Sequence, residues 1–205
     1  MIEDFGARVV SVWEGLRQTT RSLVVGALQS PPALAASPAR GVVPYDARAD
    51  WELSRLLAAL EERAAEAGAS LNPEQARELH HMADACAAVL ENQTQSAEVF
   101  AQLVARSLGL RDYARIDVLA DALTTRFAPS EVCELARHTD VVVRALAQEA
   151  LAQAPTALLV ELLADPVDSD VARDALERQA ADYGSEVARH IVNALHQADL
   201  AEDDI

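Results

Sequence analysis

The sequence predicts an all-α fold of stacked antiparallel helical hairpins, and three observations predict it. Hydrophobic residues make up 51% of the 205 residues while aromatics make up only 4%. The core must then be built mainly from Ala, Leu and Val, of which Ala and Leu are strong helix formers. Gly is scarce, with 7 in the chain, and Pro gathers in clusters, which suits long helices joined by short turns. Apolar residues recur at helical spacing along most of the chain, and short connections between helices leave neighbours antiparallel and in contact.

Residues 1–29 read as one amphipathic helix, separate from the rest. Ile2, Phe5, Val9, Val12, Trp13, Leu16, Leu23 and Ala27 share one side at 100° per residue, with Thr20 interrupting. Asp4, Ser11, Gln18, Ser22 and Gln29 take the other side. Such a stripe must be buried against something. Phe5, Val9, Trp13, Leu16 and Leu23 are the candidate partner-binding residues, in a partner's groove or in a second copy of the chain. Folding back onto the rest of the chain is the competing expectation. A membrane surface is the least favoured, because Glu3, Asp4 and Glu14 offset Arg8, Arg17 and Arg21.

Residues 30–49 hold Pro31, Pro32, Pro38, Pro44 and Gly41 and read as a linker. The helical domain is expected over residues 50–197. Asp50 is read as the cap of a helix ending near Gly68. Asn72-Pro73-Glu74-Gln75 places Asn at the cap, Pro at the first helical position and Gln where a capping box needs it. Thr94 and Asp112 open the next two helices. Pro129 and Ser130 begin a short one and Asp140 caps another. Pro155 breaks that helix, after which Thr156, Ser169 and Ser185 start the last three. Residues 198–205 read as an acidic, frayed tail.

The strongest organising signal is an internal echo. Leu135–Ala147 and Leu163–Ala175 match at an offset of 28 in their Leu, Ala, Asp, Val and Ala positions. A weaker copy around Ser107–Leu119 keeps Asp112 and Leu119. Asp140, Val143, Arg144, Ala147 and Leu151 form a turn Asp followed by a Val-Arg pair and an inner-helix Ala and Leu. Residues 112–182 thereby resemble the HEAT repeats and their short bacterial relatives. In the second copy Asp168, Val171 and Ala175 fit, whereas Ala172 stands at the Arg position and Gln179 at the final Leu position. The resemblance implies a short α-solenoid in which each hairpin buries its apolar face against its neighbour, and a protein-binding scaffold. Asp140, Val143, Arg144, Asp168 and Val171 are its expected structural residues. Arg144 is expected to pair with Asp140, Asp168 or Asp170, and Arg137 and Arg173 to lie at the surface.

The net charge is −16, and every basic residue is Arg. So acidic a chain repels phosphate backbones, and nucleic acid is not an expected partner. Anionic membranes repel it as well. Cys86 and Cys133 each sit in an apolar helical pattern, which suits reduced thiols in a cytoplasmic protein. No apolar run approaches a membrane span, and the N-terminus lacks the basic region of a signal peptide.

Candidate chemistry is sparse. Glu78 and His81 form a Glu-x-x-His step of the kind di-iron bundles use twice, but no second copy exists, since His190 lies four residues after Glu186. His80 and Asp84 are spaced as a helix-stabilising pair. Cys133, His138 and Asp140 are close in sequence without the layout of a nucleophile and its base. No phosphate loop, zinc-ligand spacing or nucleophile elbow occurs. The expected function is a non-catalytic scaffold or adaptor with no cofactor, no metal and no small-molecule substrate. It would bind another protein or associate with itself. The alternative is a metal-binding or enzymatic bundle centred on Glu78 and His81.

Overall fold

A computed structural model of the chain describes residues 2–29, 45–66 and 71–203, with side chains to Leu200. Most of the expected linker, and Gly68, lie outside the described residues. Among the described residues every regular element is helical, and none is long and apolar enough to cross a membrane. The chain divides into two compact units, Met1–Leu103 and Val104–Ile205. The division falls inside the expected domain over residues 50–197.

The first unit corrects the reading of residues 1–29 as one separate helix. They form a 3-10 turn (Ile2–Phe5), α1 (Ala7–Gly15) and α2 (Gln18–Gln29). Gly6 has φ 98°, a conformation that glycine reaches without steric cost, and it ends the 3-10 turn. Leu16 is extended, at φ −70° and ψ 145°, so the helical wheel restarts after it. Thr20 and Val24 then point inward at i,i+4, and Leu23, 40% exposed, does not. The hook formed by these three elements packs on α3 (Ala47–Glu66) and α4 (Pro73–Gln93). Phe5, Val9, Leu16 and Val24 join Leu53, Leu56, Leu57, Leu60, Leu79, Met82 and Leu90 in one core.

Two helix starts also differ from expectation. Asp46, not Asp50, caps α3, its Oδ1 accepting from the backbone N–H of Arg48 at 3.1 Å and Ala49 at 3.2 Å. Asp50 lies one turn further on and is buried, accepting from Tyr45 Oη at 3.0 Å and Gln93 Nε2 at 3.1 Å. Thr94 closes α4, its N–H reaching Leu90 O at 2.8 Å, and α5 (Ala97–Leu110) begins three residues later. The capping box at Asn72 forms, with reciprocal bonds between Asn72 and Gln75 of 2.9 and 3.0 Å.

In the second unit α6 (Tyr113–Arg126) is capped by Asp112, and α7 (Pro129–Ala136) opens on its proline. α8 (Val141–Ala152), α9 (Thr156–Leu162), α10 (Ser169–Ala181) and α11 (Glu186–Asp203) follow. α7 packs on α8 and α9 on α10, while α8 also touches both α6 and α10. α11 lies along α10 and continues to Asp203, well past the expected end of helix. Arg173 holds Asp199 at 2.5 Å, and His196 lies 3.7 Å from Glu177, so the expected frayed segment is anchored at its start. The core is aliphatic: Leu119, Leu123, Leu135, Val143, Ala147, Leu151, Leu159, Ala175, Leu176 and Ala188 are all buried, as is Cys133.

Candidate functional site

The residues expected to bind a partner fall into two groups. Phe5, Val9 and Leu16 are spent on the first unit's own core, so they are not offered to solvent. Trp13 is half-buried beneath the Arg21 guanidinium, 5.9 Å from the ring centre, and only Leu23 is exposed. The hook is fastened by a polar cluster that sequence reasoning missed. Glu52, 3% exposed, accepts from Thr20 Oγ1, from the Arg17 backbone N–H at 3.3 Å, and from Arg17 Nε at 3.0 Å and Arg48 Nε at 3.2 Å. Arg17 Nη2 also holds Asp46 at 2.9 Å. Burial alone would raise the Glu52 carboxyl, but the Thr20 hydroxyl and the Arg17 donors outweigh it and hold it below the usual carboxylate range. The one available signal was Thr20, the polar interruption in an apolar stripe.

In the Glu-x-x-His step Glu78 is half-buried and His81 exposed. His80 is exposed as well, and its Nδ1 lies 2.6 Å from the carbonyl of Ala76 on its own helix. His190 does the same with Glu186 O at 2.7 Å. Among the described residues no three His, Cys, Asp or Glu side chains gather as a metal site. Cys86 and Cys133 are buried thiols. Burial, and then the nearby charge of Asp168, pushes the Cys133 thiol up to about 11, where it is a poor nucleophile.

The two copies of the echo are not equivalent. Asp140 caps α8, accepting from Val142 N at 2.8 Å and Val143 N at 3.1 Å, and these bonds lower its carboxyl below the usual range. Asp168 caps nothing with its side chain. Buried, it accepts instead from Nη1 of Arg137, just past the end of α7, at 2.9 Å. Arg144 does not take the carboxylates expected of it. Its Nη1 donates to the carbonyls of His138 at 2.7 Å and Thr139 at 3.3 Å, satisfying the turn after α7. Arg173 pairs with Asp199. Val143 is buried in the core and Val171 is half-buried.

Surface hollows of the second unit adjoin along α8 and α10. A cavity of about 40 Å³ is lined by Gln148, Leu151, Val171, Asp174, Ala175 and Arg178, and Arg178 Nη2 bonds Gln148 Oε1 at 3.0 Å. That is room for a water or two, far below a metabolite pocket. A shallower hollow continues past Asp174, Glu177, Arg178 and Asp182. An open groove at the far end is walled by Gln153, Thr156, Gln179, Tyr183 and Ser185. Its polar groups are already engaged with one another. Gln179 accepts from Thr156 Oγ1 at 2.9 Å and donates to Ala154 O at 2.6 Å. Tyr183 donates to Glu149, which also receives Gln153 Nε2 at 2.7 Å. The Tyr183 hydroxyl and the Gln153 amide lower the Glu149 carboxyl, so it stays charged. The seam as a whole carries Glu149, Asp174, Glu177 and Asp182 against Arg178.

Against known proteins the chain finds no match, whether among family models, curated proteins or solved structures.

Proposed function

We propose that the chain is a non-catalytic scaffold or adaptor whose second unit, a short HEAT-like α-solenoid over residues 112–182, binds a basic segment of a partner protein along the α8–α10 seam. The observation that carries this reading is a pair of adjoining hollows that share Asp174 and Arg178, the first between α8 and α10 and the second along the acidic face of α10. Helix pairs in series with short turns leave such seams wherever one pair meets the next. The contact of α8 with both α6 and α10 fits that stacking. The net charge of −16 favours a basic partner and disfavours nucleic acid. The groove walls hold their polar groups in bonds to one another, which suits a contact surface better than a pocket that grips a small molecule. The buried thiols suit a reducing, cytoplasmic setting. The hook plays no part in this binding, because Phe5, Val9, Leu16 and Val24 are already buried against α3 and α4.

The test is affinity capture from the source cells with the wild-type chain and with Glu149→Arg/Asp174→Arg/Asp182→Arg, all exposed positions. The expected result is a partner held by the wild type and lost by the triple variant, with identical circular dichroism. Retention of the same proteins by both would contradict the reading.

A further inference from the structure

We propose that the face formed by α3 and α4 is a helix-binding groove that accepts residues 2–29 of a second copy of this chain in place of its own. Within one chain the groove is filled by the hook. α1 lies on α3, α2 lies on α4 and α3, and the 3-10 turn touches α4. The apolar part of the contact is Phe5, Val9, Leu16 and Val24 against the Leu-rich faces of α3 and α4. That part alone would accept many amphipathic helices.

Selectivity comes from the polar cluster at the break between α1 and α2. Glu52 is a nearly buried carboxylate that needs donors, and the hook supplies three: the Thr20 hydroxyl, the Arg17 backbone N–H and the Arg17 guanidinium. The groove's own Arg48 supplies a fourth, and Asp46 binds the far side of Arg17. A helix lacking the hook's donors leaves the buried Glu52 carboxylate with Arg48 alone, so the groove favours this hook. Arg8 and Glu62, 2.7 Å apart and exposed, extend the contact at the other end.

Nothing in that interface requires hook and groove to belong to one chain. Residues 30–44 join them, and a connection of that length reaches up to roughly 50 Å whatever its path. The radius of gyration of a unit of about 100 residues is only about 13 Å. The hook's contacts are the same in cis and in trans, so the two states differ only by the effective concentration of the tether, on the order of millimolar. Exchange between copies therefore grows as protein concentration approaches that range, in the manner of a domain swap.

The test uses full-length chains. Arg17→Glu spoils the hook and leaves the groove native, whereas Glu52→Arg spoils the groove and leaves the hook native. Each is run alone and as an equal mixture by sedimentation velocity, at about 0.3 M salt to screen the −16 charge. Each alone should sediment as a monomer, and the mixture should give a 1:1 dimer through the one native hook–groove pair. A mixture that sediments as monomers overturns the proposal. Should either variant fail to fold, light and isotopically heavy wild-type chains are refolded together at high concentration and cross-linked with a carboxyl-directed reagent. Heavy–light links between the hook and α3 support the proposal, and links confined to one isotope overturn it.

Discussion

Arg137, just past the end of α7, donates to Asp168 at the start of α10 across 2.9 Å, and to the carbonyl of Val167 across 3.1 Å. The two residues belong to successive helix pairs, so this bond ties one pair to the next. The Asp168 side chain is 5% exposed, while that of Arg137 is 39% exposed. The cation thus stays partly hydrated while it satisfies a carboxylate that is not.

Removing Arg137 should cost more than a surface ion pair normally does. Arg137→Ala leaves Asp168 buried without its cation, and a loss of about 2 kcal/mol is expected. A fall in Tm of roughly 5–10 °C by calorimetry would reflect it. Arg137→Met/Asp168→Asn should recover most of that stability, since the buried charge leaves with its partner. Equal losses in the single and the double variant would show that the bond is not what ties the pairs together.

The register of α2 gives a second test. Val24→Ala empties a buried site and should destabilise by about 1–2 kcal/mol. Leu23→Ala should fall within about 0.5 kcal/mol of wild type, as exposed positions do. Urea denaturation of the two variants decides this, and the opposite order would restore the single continuous helix.

This register also shows how much of the fold was legible in the sequence. The caps at Asn72, Asp112 and Asp140 could be read, because a cap is chemistry between residues two or three apart. The break at Leu16 could not. Nothing local forbids a helix from Arg8 to Gln29, and the chain breaks where Arg17 and Thr20 can reach Glu52, more than thirty residues away in sequence. The 28-residue echo was visible, but Asp168 resembled a cap only by analogy with Asp140, and its true partner, Arg137, is fixed by packing. The α8–α10 seam was invisible for the same reason. Its walls come from Gln148, Asp174, Arg178 and Tyr183, residues of ordinary surface type that only helix packing brings together.

Acid should loosen the hook before it melts the core. The Glu52 carboxyl is held below its ordinary value of 4.5 by Thr20 and Arg17 against the pull of burial. A carboxylate with a depressed pKa contributes stability above its unfolded pKa and loses it as pH falls through the folded value. The hook is therefore fully fastened at neutral pH and releases below about pH 4.5. Trp13 emission in a Trp51→Phe background should shift to the red in that range, ahead of the loss of helical signal by circular dichroism. In Glu52→Gln the early shift should vanish. Coincident transitions in the wild type would argue that the hook and the core unfold as one.

The central claim is that the α8–α10 seam is the partner surface. Hydrogen–deuterium exchange of the full chain, alone and bound to the captured partner, measures it directly. The account predicts slower exchange in α8, α10 and the α9–α10 turn, with the hook unchanged. Protection confined to α1 and α2, or to the exposed face of α4 around His80 and His81, would contradict it.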